Sequence, residues 1–217
     1  MAARAAVAAS RRRPGLRARR GLVSRHLQRA AGRPLSEPAP SEEIDAAFAS
    51  YARYWGESLR LPGSSPAEID AGMSWEGIGR ISQAVQDGRG AILALPHLGG
   101  WEWGGFWMAQ QGFAMTVVVE ALQPPELFEW FARFRRSLGM DVVAVGPAAA
   151  MSVVRALRAG GVVCLLCDRN LGGGGVEVDF FGERTLLPAG PATLALRTGA
   201  ALLPSAVYFD GPRGHRA

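Results

Sequence analysis

The chain has 217 residues, 48% of them hydrophobic and 20% charged, a composition that excludes a wholly disordered protein. The formal charge of +5 is unevenly spread, because residues 1–36 contain ten arginines and no acid, whereas the 14 arginines beyond them face 19 acids, a net charge of −5. The basic character therefore belongs to the N-terminal segment, which favours an anionic surface as its partner and argues against a body that binds nucleic acid. No run of about 20 apolar residues occurs, so we expect no transmembrane helix.

The N-terminal segment predicts a region that is partly disordered or bound to a membrane surface. Residues 1–20 are rich in Ala and Arg and predict disorder or surface binding. Residues 21–31 predict a short helix, with apolar side chains on one face and Arg25 and Arg29 on the other. Such a helix suits an anionic membrane surface. A solvated helix docked on the body is the alternative interpretation.

A domain boundary is predicted at the Pro-rich linker of residues 34–40. We expect residues 1–40 to form the basic segment and residues 41–217 the main domain. Ser41 is a predicted helix N-cap, followed by two glutamates in the first turn. Apolar residues then recur at helical spacing and predict a core-facing stripe of Ile44, Phe48, Tyr51, Trp55 and Leu59.

Beyond a second predicted helix at residues 75–86, short strands alternate with helices. The predicted strands cover residues 91–95, 115–119, 142–145, 162–167 and 202–209, and residues 176–181 and 184–187 predict a hairpin. The predicted helices cover residues 101–111, 125–138, 148–158 and 190–198. This alternation predicts an α/β fold, with a mostly parallel central sheet flanked by helices.

Two cysteines, Cys164 and Cys167, have the C-x-x-C spacing of half a zinc site or of a redox pair. They lie inside a continuous apolar run that predicts a central strand, and the sequence offers no second pair of cysteine ligands. We therefore interpret them as buried thiols and expect no metal site.

His97 and Glu102 form an H-x-x-x-x-E motif between a predicted strand and the helix that follows it. A histidine at the carboxyl end of a buried strand lies where open α/β sheets bind their ligands. Imidazole, with an ordinary pKa of about 6.5, can take a proton from a hydroxyl group near neutral pH. A carboxylate beside it can fix the ring tautomer, so the motif predicts a general base with an acidic partner.

Further polar residues follow other predicted strands, where a simple core does not need them. Glu120 follows one strand, and Asp168 and Arg169 follow another. Parallel strands would bring these residues to the edge that holds the histidine, where Arg135 or its neighbour Arg136 could also reach inward. We assign them to the binding of polar substrate groups. The alternative is that the two carboxylates each cap the next helix.

Several blocks of sequence carry a family resemblance. They are the H-x-x-x-x-E motif with Gly99–Trp103, Val119-Glu120, Cys167–Asn170 and Val176–Glu183. On these blocks the chain resembles the bacterial lipid A biosynthesis acyltransferase family, and within it the actinobacterial acyltransferases that act on phosphatidylinositol mannosides. The likeness runs from about residue 44 to residue 209.

The resemblance implies an α/β acyltransferase domain that is peripheral to the cytoplasmic side of the cell membrane. It implies transfer of a long acyl chain from acyl-CoA to a mannose hydroxyl of a phosphatidylinositol mannoside or a related glycolipid. Acyl-CoA is a substrate, so we expect no resident cofactor. The expected partners are these two substrates and an anionic membrane surface, without nucleic acid.

The resemblance also implies roles for individual residues. His97 would be the general base that deprotonates the acceptor hydroxyl, and Glu102 occupies the acidic position of the motif. Glu177 would be a second carboxylate that relays charge with His97, while Glu102 orders the site from the start of the helix.

For two further residues the resemblance implies contacts with the substrate. Glu120 and Arg135 match positions that line the groove and hold polar parts of the substrate. Arg133 and Arg136, on the same predicted helix, are the alternatives to Arg135. Independently of the resemblance, attack on a thioester needs hydrogen-bond donors to a tetrahedral oxyanion, which backbone N–H groups or Arg169 could supply.

Two other functions remain open from the sequence. One is a lipid A type acyltransferase that uses acyl carrier protein as donor. The other is a non-enzymatic module in which residues 1–36 bind a membrane or nucleic acid. Members of the family continue beyond the last predicted strand, so we also expect the domain to lack its C-terminal part.

Overall fold

A computed structural model describes residues 2–146, 148–170 and 173–217. Its helices are α1 (Ala2–Arg12), α2 (Pro14–Ala30), α3 (Ser41–Ser58), α4 (Pro66–Ala71), α5 (Ile78–Gln86), α6 (Trp101–Gln110), α7 (Pro125–Ser137), α8 (Ala149–Arg158) and α9 (Gly190–Thr198), with a 3₁₀ turn at Leu61–Gly63. Its strands are β1 (Met73–Ser74), β2 (Ala91–Leu95), β3 (Met115–Val119), β4 (Met140–Ala144), β5 (Val162–Leu166), β6 (Val176–Phe180), β7 (Glu183–Leu187), β8 (Ala201–Pro204), β9 (Tyr208–Asp210) and β10 (Gly214–Arg216). The chain divides into two compact units, residues 1–59 with 177–186 and residues 60–176 with 187–217.

The larger unit is built on a five-stranded sheet with the order β4-β3-β5-β2-β8. Every neighbouring pair in it is parallel. These strands are nearly continuous apolar runs, which is typical of parallel strands that are covered on both faces. The predicted α/β fold is confirmed, and the sequence located the five parallel strands because each one is apolar along most of its length.

Alternate residues of the central sheet face two separate cores, as the two-residue period of a strand requires. Leu93 and Leu95 of β2 pack in a core that includes Met108 of α6. Ile92 of the same strand packs in the other core, with Leu157 of α8. Helices therefore cover both faces of the sheet, which leaves its edges and strand ends for a site.

The predicted strand at residues 202–209 is wrong as a single strand. The chain leaves the central sheet after Ser205, whose N–H donates to the carbonyl oxygen of Ala94 at 3.0 Å. β9 then joins a separate three-stranded sheet, where β10 lies antiparallel to β9 and parallel to β1. Beside this sheet, the N–H of Glu76 donates to the carbonyl oxygen of Ala217 at 2.8 Å. Helix α5 therefore begins at Ile78 rather than at the predicted residue 75.

In the smaller unit, helices α1 and α2 occupy the segment where the sequence predicts disorder or surface binding. Arginines of these helices form ion pairs with α3, where Asp45 binds both Arg11 and Arg20. Arg33, just after α2, pairs with Glu43. These ion pairs offset part of the positive charge of the N-terminal segment. Composition alone does not reveal such pairs, because their partners lie outside that segment.

The inner face of α2 is polar, contrary to the predicted apolar face. Its buried residues are Ser24 and Gln28, whereas Leu22 is 46% exposed. Ser24 Oγ accepts a hydrogen bond from the N–H of Ala39 at 2.7 Å, and Gln28 Nε2 donates to the carbonyl oxygen of Glu37 at 3.0 Å. The helix therefore buries side chains that bind the Pro-rich linker rather than an apolar stripe.

Helix α3 begins at Ser41, but Pro40 rather than the predicted Ser41 is its N-cap, and no side chain caps it. Its buried stripe also differs from the prediction. Ile44 is buried, while Tyr51 is 61% exposed and Tyr54 is buried instead. β6 and β7 form the predicted hairpin, and Glu183 of β7 lies 2.5 Å from Arg29 of α2. None of the helices in the described ranges is long and apolar enough to cross a membrane.

Candidate active site

His97 and Asp168 lie opposite each other at the carboxyl edge of the central sheet. β2 and β5 are neighbouring parallel strands, and their register pairs Leu95 with Leu166, the last residue of each strand. His97 and Asp168 each follow their strand by two residues. The register of the sheet thus brings together a base and a carboxylate that are 71 positions apart in the chain.

The Asp168 carboxylate bonds His97 at two points. Oδ2 accepts a hydrogen bond from the backbone N–H of His97 at 3.0 Å, and Oδ1 lies 2.7 Å from ring Nδ1. With the proton on Nδ1, where a carboxylate can accept it, the neutral ring carries its lone pair on Nε2. A ring oriented in this way is equipped to take a proton from a hydroxyl group.

The pKa of the Asp168 carboxyl lies below its ordinary value. Partial burial alone would raise this pKa, but the two hydrogen bonds from His97 and the charge of a protonated ring outweigh it. Asp168 is therefore a carboxylate at neutral pH and accepts the Nδ1 proton. The side chains of His97 and Asp168 remain 32% and 33% exposed, so a substrate can reach the pair from solvent.

The turn that follows His97 is fixed by close packing around two glycines. Gly99 has a φ of +60°, and a Cβ atom there would overlap the carbonyl oxygen of Val207. A Cβ atom on Gly100 would lie 2.5 Å from Cδ2 of His215. The turn leads into α6, where the Trp101 ring stands edge-on to the His97 ring at 5.4 Å.

Glu102, in the first turn of α6, forms a buried ion pair with Arg135 of α7. Arg135 Nε lies 3.1 and 3.2 Å from the two carboxylate oxygens, and Nη2 makes a further short bond to Oε1. Only 3% of Glu102 is exposed. Arg133 and Arg136 are exposed, so Arg135 is the arginine of α7 that turns inward.

An apolar cavity of about 50 Å³ adjoins this ion pair. Its walls include Leu93 of β2, Val117 of β3 and Leu166 of β5, and Glu102 and Arg135 also line it. The volume is far below the roughly 300–1,000 Å³ of an ordinary ligand pocket. A long chain would therefore enter it only if lining side chains moved.

Glu120 and Arg169 are both exposed at the carboxyl edge of the sheet, directly after β3 and directly after Asp168. The alternative of helix capping is wrong for Glu120, because α7 has Pro124 at its N-cap and no capping hydrogen bond from a side chain. Asp168 bonds His97 instead of a helix end. Both carboxylates are thus available for roles at the site.

Glu177 belongs to the smaller unit, on β6. Its Oε2 lies 3.2 Å from Nη2 of Arg184 on β7, and 57% of its side chain is exposed. The charge relay between Glu177 and His97 therefore stays a prediction. The carboxylate that bonds His97 is Asp168, to which the sequence assigned substrate binding.

Cys164 and Cys167 are free and partly buried. Burial, followed by the charge of Glu102, raises the pKa of the Cys164 thiol to about 12. Burial, followed by the charge of Asp168, raises the pKa of Cys167. Reactive and metal-binding cysteines need the thiolate, so the raised pKa values favour the thiol form of both. Their partial burial differs from the predicted full burial.

The bond between His97 and Asp168 is the feature of the site that the sequence interpretation missed. A signal was present, because each residue follows, within one or two positions, an apolar run that predicts a buried strand. That signal becomes specific only when β2 and β5 are known to be neighbours in register.

The family model for bacterial lipid A biosynthesis acyltransferases matches residues 6–216. The chain belongs to this family. The resemblance inferred from the motif blocks is confirmed, and the matched region contains the His97–Asp168 pair, the Glu102–Arg135 pair and Glu177.

Two similar proteins are named phosphatidylinositol mannoside acyltransferase. The protein from Mycolicibacterium smegmatis is 41% identical over 192 residues, which cover 87% of this chain and 63% of that protein. The protein from Mycobacterium tuberculosis is 40% identical over 194 residues, which cover 87% of this chain and 61% of that protein. The chain therefore spans somewhat less than two thirds of the length of the curated relatives it matches.

Proposed function

We propose that the chain carries the active site of an acyltransferase that moves a long acyl chain from acyl-CoA to a mannose hydroxyl of a phosphatidylinositol mannoside. The observation that carries this proposal is the solvent-accessible His97–Asp168 pair at the carboxyl edge of a parallel sheet. The acceptor class is supported by relatives at 41% and 40% identity that bear the name of phosphatidylinositol mannoside acyltransferases.

In the proposed reaction, His97 acts as the general base. Nε2 takes the proton of the mannose hydroxyl while the hydroxyl oxygen attacks the carbonyl carbon of the thioester. The Asp168 carboxylate accepts the Nδ1 proton and stabilises the imidazolium that forms. A positioned base of this kind contributes roughly 10²- to 10⁴-fold to a rate.

The attack produces a tetrahedral oxyanion that needs hydrogen-bond donors. Two sources are near the motif, the backbone N–H groups at the start of α6 and the guanidinium of Arg169. When the intermediate collapses, the carbon–sulfur bond breaks and the imidazolium returns its proton to the departing thiolate. The products are the ester and coenzyme A, and no acyl-enzyme forms.

The Glu102–Arg135 pair has a supporting role in this proposal. The pair is buried and bidentate, which favours a structural role that holds α6 and α7 together. It does not favour a role in proton transfer. The apolar cavity beside it is the proposed entry point for the end of the acyl chain, because most of its lining side chains are apolar. Glu120 is proposed to bind polar groups of the acceptor.

The proposed location is the cytoplasmic face of the cell membrane, with the N-terminal segment on an anionic surface. The support is the ten arginines and absence of acids in residues 1–36, together with the exposed Leu22. Arg11, Arg20 and Arg33 pair with carboxylates of α3, which reduces the attraction of this segment to any anionic partner, lipid or nucleic acid.

The test is a direct transfer assay with the whole chain. Acyl-CoA and acyl carrier protein thioesters are offered in parallel, each with phosphatidylinositol mannoside and with a lipid A precursor, and products are identified by mass spectrometry. We expect a mannoside product from acyl-CoA. We expect His97→Gln to lose at least about 10²-fold in kcat/KM while it still unfolds cooperatively. Transfer at the wild-type rate by the folded variant would end the proposal, as would absence of any product from the wild-type chain.

A further inference from the structure

His215 is a buried histidine that the proposed reaction does not use. It lies on β10, and only 2% of it is exposed. Its ring is stacked on Trp103 of α6 at 4.5 Å and is tilted against Phe209 of β9 at 5.6 Å. A buried imidazole costs free energy unless its polar atoms find partners, a cost that an apolar side chain would not carry. The position therefore points to contacts that an apolar side chain cannot make.

One such contact joins the ring to the residue just before β1. Nδ1 of His215 lies 3.3 Å from the carbonyl oxygen of Gly72, and the backbone N–H of His215 donates to the same oxygen at 2.8 Å. A carbonyl oxygen can only accept, so Nδ1 carries the ring proton. β10 is also paired on both sides, with β1 and with β9. The imidazole is therefore held in one orientation.

The opposite edge of the ring packs against the turn that follows His97. A Cβ atom on Gly100 would lie 2.5 Å from Cδ2 and 2.7 Å from Nε2 of His215. Gly100 has a negative φ of −105°, so the nearby ring, rather than a left-handed backbone, is what requires glycine there. The imidazole edge thus lies directly against the backbone of Gly100.

Gly100 connects this contact to the proposed base. It lies three residues after His97 and just before α6, and its carbonyl oxygen accepts a hydrogen bond from the N–H of Gly104 at 3.2 Å. A displacement of Gly100 would therefore move the start of α6. The first residue of that helix is Trp101, whose ring meets the His97 ring at 5.4 Å. The position of His215 is in this way linked to the position of His97 from both sides of the turn.

We infer that His215 is a positioning residue, whose imidazole is fixed by Gly72 and sets the place of Gly100 and, through it, the orientation of the His97 ring. The kinetic part of this inference rests on the proposed function. Misplacement of a reacting group by about 1 Å can cost roughly 10²-fold in rate. Loss of the ring is therefore expected to lower kcat more than it raises KM, because a residue buried behind the turn does not bind substrate.

The first test is a cycle of variants at the contact between the ring and Gly100. Gly100→Ala places a methyl group against the ring and should lower kcat about 10²-fold. In the double variant with His215→Ala, the methyl group enters the space that the ring has left, so kcat should be at least about tenfold higher than in Gly100→Ala. If Gly100→Ala alone does not fold, the expected result is cooperative unfolding of the double variant. A double variant that is slower than either single variant, or that also fails to fold, would overturn the inference.

A core variant is the matched control for loss of stability. Leu157 is completely buried and packs with Ile92 in the other core. Leu157→Ala leaves a cavity there, which should lower the unfolding midpoint but leave kcat unchanged at temperatures where the variant is folded. His215→Asn, which keeps a donor for Gly72 but removes the ring edge, serves where His215→Ala does not fold. Equal loss of kcat in Leu157→Ala would show that any destabilisation has this effect, which contradicts a positioning role.

A second measurement does not depend on acyl transfer. The chain has three histidines, His26, His97 and His215, so a nitrogen NMR spectrum with labelled imidazole rings resolves the ring of His97. We expect its resonances to move in His215→Ala or His215→Asn and to keep their wild-type positions in Leu157→Ala. Unchanged His97 resonances in the His215 variants would overturn the inference. If the wild-type chain transfers no acyl group, the proposed function fails, while this shift still decides whether His215 positions His97.

Discussion

The Asp168 carboxylate holds His97 by the ring and by the backbone at the same time. The bond to Nδ1 sets the tautomer, and the bond to the N–H sets the direction in which the chain leaves β2. One carboxylate can do both because the two strands are parallel neighbours in register. The same side chain thereby fixes the protonation pattern of the proposed base and the position of its ring.

Replacing Asp168 by Asn should impair acyl transfer more than it impairs folding. An amide can donate to Nδ1, which would move the ring proton to Nε2 and remove the lone pair that the proposed mechanism needs. Loss of the correct tautomer costs up to about 10⁴-fold in a comparable hydrolase. We expect a fall of about 10²- to 10⁴-fold in kcat/KM, measured under first-order conditions.

Two further variants give this prediction its control. Asp141→Asn changes an exposed carboxylate on β4 and should keep wild-type kcat/KM. Glu177→Gln distinguishes the two candidate carboxylates, because we expect it to lower kcat/KM less than Asp168→Asn does. The reverse order, with Asp168→Asn nearly fully active, would assign the relay to Glu177.

The contribution of Asp168 to stability should depend on pH. Its folded-state pKa is below the ordinary value, so its stabilising effect is present above the unfolded-state pKa of about 3.9 and is lost as pH falls through the folded-state value. The difference in free energy of unfolding between wild type and Asp168→Asn should therefore shrink as the pH falls below about 5. Urea unfolding at several pH values measures it, and a difference that grows on acidification has the wrong sign.

The central sheet could be predicted because each of its strands is marked by a pattern of neighbouring residues. Each strand is an apolar run that ends at a polar or turn residue, and the predicted strands of residues 91–95 and 115–119 have the observed bounds. The motif histidine could likewise be placed at a strand end. These features need only the sequence within a few residues.

Other features depend on pairing between distant segments, and the sequence predicted them poorly. The partner of His97 is fixed by strand order, and β9 leaves the central sheet for β10 and the two-residue strand β1, which has no sequence period of its own. The helices at the N-terminus are joined to α3 by arginine–carboxylate pairs. From composition alone, these arginines counted only as an excess of positive charge in residues 1–36. In each case the missing information is which segments are neighbours.

Breaking the Glu102–Arg135 ion pair should destabilise the fold strongly. Either Glu102→Gln or Arg135→Met leaves one partner buried without its counter-charge, which costs about 3–5 kcal/mol. The double variant should lose less than the sum of the two single variants. Denaturant unfolding of all four proteins measures the coupling.

An exposed ion pair is the control for this cycle. Arg89 and Asp87 lie 3.0 Å apart at the surface, and Asp87→Asn should cost less than about 1 kcal/mol. Strict additivity of the Glu102 and Arg135 variants would mean that the buried pair does not act as a unit.

Gly99→Ala should be more damaging than the same change at another glycine of positive φ. A left-handed conformation costs an alanine about 1–2 kcal/mol, and at Gly99 the methyl group would also overlap the carbonyl oxygen of Val207. Gly112 has a φ of +86° with nothing within 4 Å, so Gly112→Ala should show the conformational cost alone. Thermal unfolding ranks the two variants, and equal melting temperatures would exclude the close packing at Gly99.

Filling the apolar cavity should change the acyl chain that the enzyme prefers. Val117 lines the cavity from β3, and a phenylalanine there would occupy much of its roughly 50 Å³ at a stability cost of about 1–3 kcal/mol. If the end of a long chain enters this space, Val117→Phe should lower kcat/KM for palmitoyl-CoA more than for decanoyl-CoA. Val145→Phe, at a position that is 56% exposed after β4, is the matched control and should leave the ratio unchanged. An equal loss with both donors would show that the chain end binds elsewhere, because a packing defect alone does not distinguish donors by length.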